Sequence, residues 1–178
     1  MRPIVLAGLL LLSVVPCTAD AADFFRRRPI HESYREGFLV GFSIGAGDLG
    51  PDACRDCGVA LGLDLHLGAV ASREVAVMLE LSGVGRRDIG HGILAVAAQW
   101  WPDPAGRFWA KGGLGVGALD VDGNDDPDHL YPSVLLAGGV EVVRSWNFTM
   151  DVQVRGQFTK QPGSWARGGS VHVGFNWY

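Results

Sequence analysis

Apolar and polar residues alternate along most of this 178-residue chain. A period of two is the side-chain period of a β-strand, whose successive residues point to opposite faces of the sheet. Each face then meets a different environment, so the pattern predicts a sheet with one apolar side and one polar side. The segment NFTMDVQVRGQFT (residues 147–159) shows this most clearly, with Phe148, Met150, Val152, Val154 and Phe158 on its apolar face.

Eight such segments follow one another. They are near the roughly 9–11 residues that a tilted strand needs to cross a bilayer, and longer than the common soluble strand of about 5 or 6. The connections alternate between longer and shorter, as is typical of an up-and-down membrane barrel. The longer connections fall near 48–57, 85–90, 120–130 and 159–167. The predicted strands are 38–47, 58–69, 74–84, 91–101, 107–119, 131–143, 146–158 and 168–178.

Composition indicates which face meets which environment. The chain has 26 glycines and only 19% charged residues, whereas a soluble exterior is roughly a quarter to a third charged. The polar face is rich in glycine, which suits the cramped interior of an eight-stranded barrel. We therefore predict an all-β barrel with its polar face inside and its apolar face in lipid. The net charge of −4 offers no basic patch for a nucleic acid, so no nucleic-acid partner is predicted.

Aromatic residues are concentrated at the end of the barrel that carries the shorter connections. Aromatic rings favour the bilayer interface, where they form a girdle around membrane barrels. Trp101 and Trp109 belong to the same end, and the opposite girdle is thinner, with Tyr131 and Phe158. The alternative interpretation is an apolar plug at one end of a soluble barrel. The predicted girdle consists of Phe38, Trp100, Phe108, Trp146, Phe148, Phe175 and Trp177.

The segments FWAKGGLGVGAL, NFTMDVQVRGQFT and VHVGFNWY carry a family resemblance. Residues 38–178 resemble the small eight-stranded outer-membrane barrels of Gram-negative bacteria, the OmpA/OmpX-like group. The resemblance implies an eight-stranded antiparallel up-and-down transmembrane β-barrel with both termini in the periplasm. It also implies a monomer in contact with outer-membrane lipids and lipopolysaccharide, inserted by the outer-membrane assembly machinery. Tyr178 lies one residue beyond the apolar set that ends at Trp177, which departs from the family's register.

The N-terminal residues have the pattern of a targeting segment. Residues 1–21 combine Arg2, the apolar run IVLAGLLLLSVV and the small residues before Ala22, which predicts a cleaved signal peptide. The run is too short to span a bilayer as a helix. Lipid anchoring at Cys17 is the alternative, which Pro16 fits poorly. Residues 22–37 have no clean period and are interpreted as a periplasmic lead-in, followed by the barrel at 38–178.

Charged residues on the polar face predict a network inside the lumen. An unpaired buried charge costs several kcal/mol, so these side chains must pair with one another. Related small barrels carry a similar cluster, and the resemblance implies that it fills the lumen and prevents conduction. A switchable pore is the alternative. The predicted network consists of Asp64, Glu80, Lys111, Glu141, Asp151 and Arg155.

Two further motifs lie in the predicted loops. In the segment CRDC, export through an oxidising compartment favours a disulfide between Cys54 and Cys57 over free thiols or half a metal site. The acidic segment DVDGNDDPDH (120–129) only partly matches a calcium loop, because Asp125 stands where that loop requires glycine. No metal site and no cofactor are predicted.

Catalytic chemistry has little support in the sequence. His66 and His172 face inward, and Ser170 shares the face of His172, but no carboxylate can be assigned to orient this imidazole. No catalytic residue is therefore predicted. The predicted role is structural or surface-interacting in the outer membrane. The alternatives are a lipid A-modifying deacylase or acyltransferase, and a secreted soluble barrel that binds a small apolar ligand inside.

Overall fold

Eight long β-strands account for the regular structure in the computed structural model, which describes residues 35–50, 59–87, 89–121 and 129–178. No helix in these ranges is long and apolar enough to cross a membrane. The predicted signal peptide (1–21) and the cysteines Cys54 and Cys57 lie outside the described residues. The strands are β1 (Phe38–Gly50), β2 (Ala60–Ser72), β3 (Val75–Arg86), β4 (Ile89–Trp100), β5 (Phe108–Val121), β6 (Tyr131–Arg144), β7 (Phe148–Gln161) and β8 (Ser164–Trp177).

Each strand pairs antiparallel with the next, and β8 pairs with β1, so the sheet closes. The predicted eight-stranded antiparallel barrel is therefore confirmed. Paired residues followed from Phe38 around all eight strands lead back to Asp48, ten residues further along β1. With eight strands this offset gives a strand tilt of about 40°. A barrel this narrow has an interior that its own side chains can fill.

The connections differ from the predicted alternation. We call the end where β1 begins and β8 finishes the terminal end, and the opposite end the loop end. At the loop end, β3 and β4 are separated only by residues 87–88, and β7 and β8 only by 162–163. The long loops predicted near 85–90 and 159–167 are therefore wrong. The strands continue there with glycines such as Gly85 and Gly90 outward in β3 and β4, and with Lys160 and Arg167 outward in β7 and β8. These residues hide the period of two.

Gly163 makes the tight turn between β7 and β8 possible. Its φ of +79° lies in the left-handed region, which residues with a Cβ adopt only with strain. The turns at the terminal end are not all tight. Residues 101–107 form a longer connection between β4 and β5 than the other turns at that end.

The outer wall of the barrel is apolar. Leu61 and Leu114 expose 72% and 71% of their surface, and valines and leucines occupy most other outward positions. The inward positions carry charged residues, amides, hydroxyls, histidines and glycines. This is the reverse of a soluble barrel, whose apolar side lines the interior.

The seven predicted girdle residues all lie on the outer wall at the terminal end. Phe42 extends this group, because its ring stacks on Phe175 with the centroids 4.9 Å apart. The placement of Trp101 and Trp109 at the interface is wrong, since both rings are buried inside the barrel. Trp165, which the predicted loop had hidden, adds an exposed aromatic ring at the loop end.

Candidate functional site: the barrel lumen

Four charged side chains meet at the centre of the lumen. The ammonium Nζ of Lys111 lies 3.1 Å from Oε2 of Glu80. The guanidinium of Arg155 donates to the other oxygen of Glu80, and its Nε lies 3.3 Å from Oδ2 of Asp64. All four are almost completely buried. Two carboxylates and two cations leave this central cluster formally neutral, which limits the cost of burying its charges.

Polar side chains add hydrogen bonds to the central cluster. Asp64 accepts hydrogen bonds from the hydroxyls of Ser43 and Ser82. Nη1 of Arg155 donates to the amide oxygen of Gln153 over 3.1 Å. Since a buried charge without partners is costly, this shell is as important to the cluster as the ion pairs themselves.

Glu141 organises a second group, the mouth cluster, at the terminal end. Its Oε2 lies 2.8 Å from Nη2 of Arg35 and 2.7 Å from Nε of Arg144, and its Oε1 accepts a hydrogen bond of 3.0 Å from Nε1 of Trp101. A β-bulge between Glu141 and Val143 shifts the register here. The bulge lets Glu141 point inward three residues before Arg144, which reaches back to it.

Arg35 belongs to the segment predicted as a lead-in, and the sequence pattern did not single it out. Its guanidinium lies 4.4 Å from the centroid of the Trp101 ring and is 2% exposed. It donates to the backbone carbonyls of Pro104 (3.0 Å) and Gly106 (3.3 Å). Arg35, near the end of the lead-in, and the 101–107 connection are thereby held together across the mouth of the barrel.

Asp151 pairs with Glu141 across β6 and β7, but its side chain forms a group of its own. Its Oδ2 accepts a hydrogen bond of 2.8 Å from Asn176, whose Oδ1 lies 2.8 Å from Nε2 of His66. Within the described residues it has no ion pair closer than 4 Å. The structure therefore brings four of the six predicted network residues together and places Glu141 and Asp151 in separate groups.

Apolar side chains cluster in the interior toward both ends of the barrel. The loop lid consists of Leu49, Ala60 and Val84, with Ile89 packed against it. Tyr178 packs against the layer at the opposite end, where burial raises the pKa of its phenol above the usual value. That layer, the terminal lid, consists of Leu39, Ala76, Met78, Ala97, Trp101 and Trp109.

His172 has the carboxylate partner that the sequence failed to assign. Its Nδ1 lies 2.8 Å from Oδ2 of Asp64, and its Nε2 lies 2.8 Å from Oγ of Ser170. The prediction that nothing orients this imidazole is wrong, because Asp64 is distant in sequence and meets His172 only when β8 closes on β1. The order of serine, histidine and aspartate is that of a catalytic triad.

The residues around this triad-like group indicate that its side chains pack the interior of the barrel. A Cβ added to Gly62 would lie 2.5 Å from the ring of His172, and one added to Gly45 would lie 2.4 Å from it. The imidazole therefore fills a slot between two glycines. Ser170 is also buried, with 6% of its surface exposed. The serine and the imidazole are both enclosed by the barrel, and we interpret the group as a structural relay of hydrogen bonds.

Replacement of Gly62 by alanine tests this slot. The new methyl group would overlap the His172 ring, and we expect it to lower the free energy of unfolding by about 1–3 kcal/mol, as overpacking in a dense core does. The measurement is a urea titration of the folded barrel in detergent, followed by tryptophan fluorescence. Gly83→Ala is the control, because open space lies around the outward-facing Gly83. Equal stability of the two variants would contradict the slot.

The other predicted sites lie mostly outside the described residues. This applies to Cys54 and Cys57 and to most of the acidic segment 120–129. Within the described ranges, no group of three or more histidine, cysteine, aspartate or glutamate side chains could hold a metal ion.

Comparisons with known proteins show which solved structures share this fold. No protein-family model and no curated protein matches the sequence. The solved structure of neisserial surface protein A (NspA) aligns with a TM-score of 0.64 at 13% identity, over 79% of this chain and 96% of that chain. The Yersinia pestis attachment invasion locus protein Ail, in complex with the heparin analogue sucrose octasulfate, aligns with a TM-score of 0.53 at 11% identity, over 80% and 99%. The chain thus has the fold of the small eight-stranded outer-membrane β-barrels.

Proposed function

We propose that this chain is an integral outer-membrane β-barrel protein with a structural or surface-interacting role and a lumen that does not conduct. The observation that carries this proposal is the closed barrel with an apolar outer wall and an ion-paired interior. A bilayer offers no partner to unpaired backbone groups, and a closed sheet leaves none at an edge.

The dimensions of the barrel support a membrane location. The strands have 12 to 14 residues, which at a tilt of about 40° cover about 30–35 Å along the barrel axis. The apolar band of an outer-membrane barrel is about 25 Å tall. The aromatic girdle at the terminal end fits the periplasmic interface, and an N-terminal signal peptide would deliver the chain there.

The filled lumen supports a protein that does not conduct. The central cluster crosses the interior between β2, β3, β5 and β7, and an apolar lid lies on each side of it. An ion would have to displace these paired charges to pass through the interior. Filling of this kind strengthens the barrel, so a structural role follows more directly from it than transport.

Surface contacts would come from the loop end. The β1–β2 connection (51–59) and the β5–β6 connection (122–130) are the longest at that end. Ail, which shares the fold, is named for attachment and invasion. We propose that the chain acts as a monomer surrounded by outer-membrane lipids and lipopolysaccharide, after insertion by the outer-membrane assembly machinery.

Fractionation of expressing cells tests the proposal. We expect the protein in the outer-membrane fraction, with unheated and boiled samples migrating differently in SDS because a closed barrel resists the detergent. In planar bilayers the purified protein should give no stepwise conductance, and lipid A from the same cells should keep all its acyl chains. Soluble protein in the periplasm would contradict the membrane location, stable conductance the closed lumen, and loss of an acyl chain the non-enzymatic role.

A further inference from the structure

The ladder between β1 and β8 differs from the other seven ladders, because its strands are the first and the last of the eight and no turn joins them. We call this ladder the seam. A turn keeps two strands close after their hydrogen bonds break, since a short loop costs little entropy to close. The seam has no such tether, so local opening of the barrel is expected to begin there.

Side chains of β8 and β2 meet inside the barrel, above β1. They can meet because β1 places glycines inward between them. Gly41 pairs with Asn176 of β8 on one side and with His66 of β2 on the other. Gly45 pairs with His172 of β8, and a Cβ at Gly45 would overlap the imidazole ring of His172. A larger side chain at either glycine would occupy the space in which β8 and β2 meet.

Two direct contacts join β8 to β2 in this way. Nδ1 of His172 lies 2.8 Å from Oδ2 of Asp64 on β2. Oδ1 of Asn176 lies 2.8 Å from Nε2 of His66, which is also on β2. All four side chains are at most 5% exposed. Ser43 of β1 supports the first contact, because its hydroxyl donates to Asp64.

We propose that the contacts of His172 with Asp64 and of Asn176 with His66 form a seam latch, which controls how fast the folded barrel opens between β1 and β8. Separation of these strands moves β8 away from β2, so both contacts must break before the seam opens. Each break leaves buried polar atoms without partners, which raises the barrier to opening. The inference goes beyond the proposed function, because it concerns how the barrel stays closed and not where it resides.

The seam latch is tested by the unfolding rate of the purified full chain in detergent micelles. Tryptophan fluorescence is followed after transfer to concentrated urea. His172→Ala should unfold about tenfold faster than the unaltered protein, because its contact across the seam is lost. Asn176→Leu nearly keeps the side-chain volume but removes the contact with His66, and it should unfold about threefold faster. This second variant keeps the test decisive if His172→Ala does not fold.

A disulfide across the seam distinguishes a latch from a general loss of packing. Ile44→Cys/Val173→Cys places two cysteines directly opposite each other on the outer wall of β1 and β8, close enough to bond. Cys54 and Cys57 are replaced by serine in every protein of this experiment. With the seam disulfide formed, the His172→Ala variant should unfold within about twofold of the protein that keeps His172. A reductant should restore the difference between the two.

Two controls make this rescue specific. Leu65→Cys/Leu81→Cys joins β2 to β3 instead, and with this disulfide His172→Ala should still unfold about tenfold faster. His91→Ala removes another buried imidazole, whose contact with Thr159 joins β4 to β7. Any acceleration by His91→Ala should persist with the seam disulfide, because β4 and β7 stay connected through β5 and β6 when the seam opens.

Two results would overturn the inference. One is equal unfolding rates of the latch variants and the unaltered protein. The other is an acceleration that persists when the seam disulfide is formed, since the lost side chain would then act through packing alone. Fractionation tests the proposed function separately. A protein that resides in the outer membrane but unfolds equally fast with and without the seam latch would contradict only this inference.

Discussion

Replacement of Glu80 by alanine is expected to lower the free energy of unfolding by about 3–5 kcal/mol, because it leaves buried cations without their partner. Glu80 contacts both Lys111 and Arg155 at the centre of the lumen. Arg155 keeps its contact with Asp64, whereas Lys111 loses the ion pair that the structure shows for it. The measurement is a urea titration in detergent micelles, followed by tryptophan fluorescence.

Two variants make this result specific. Glu74→Ala removes an exposed carboxylate from the β2–β3 turn and should change stability by no more than about 0.5 kcal/mol. The double variant Glu80→Leu/Lys111→Met removes both members of a pair and should recover part of the loss, since well-packed apolar residues often replace a buried ion pair. A loss of less than about 1 kcal/mol in Glu80→Ala would show that the central cluster contributes little to stability.

Replacement of Glu141 by alanine is expected to release the lead-in from the mouth of the barrel. Glu141 accepts from Arg35, Arg144 and Trp101, so its loss leaves two buried or half-buried cations without their shared carboxylate. The peptide bond after Arg35 should become at least about tenfold more susceptible to trypsin, because local opening then costs less free energy. Mass spectrometry identifies the product that begins at Glu36.

Glu74→Ala again serves as the control, since it removes a carboxylate at the same end without touching the mouth cluster. Arg35→Lys provides a second comparison. Lysine keeps the positive charge and the trypsin site but cannot reproduce the forked contacts with Glu141 and two carbonyls. Its cleavage rate should fall between those of the unaltered protein and Glu141→Ala. Equal cleavage of the unaltered protein and Glu141→Ala would mean that the mouth cluster does not hold the lead-in.

The architecture could be predicted because the alternation of apolar and polar residues that produces it is repeated along the chain. Every strand places apolar residues such as Leu61 and Leu63 on the outer wall and polar residues such as Asp64 inward, so the same period of two recurs along the whole barrel. The charges of the lumen were identifiable by the same rule, since they interrupt an otherwise uncharged pattern. The boundaries at the loop end were not, because Lys160 and Arg167 place charges on the outward face of β7 and β8 there.

The pairing of the lumenal side chains could not be predicted in the same way. Asp64 meets His172 across the seam between β1, β2 and β8, and this contact depends on the strand offset, which alternation does not encode. Arg35 lies in a segment without periodicity, and its place in the mouth follows only from the 101–107 connection that folds against it. Such contacts depend on tertiary closure, for which a single sequence carries no local signal.

The close contacts between histidine rings and glycines affect which strand register, and therefore which diameter, the barrel adopts. Alternation excludes a slip of one residue between neighbouring strands but tolerates a slip of two, which restores every face. His66 lies against Gly41, where a Cβ would come within 2.4 Å of its ring, and a two-residue slip would put Leu39 or Ser43 in that place. Glycines at these positions therefore select the native strand register. They distinguish the native stagger from its even-numbered neighbours, and the stagger sets the diameter of the barrel.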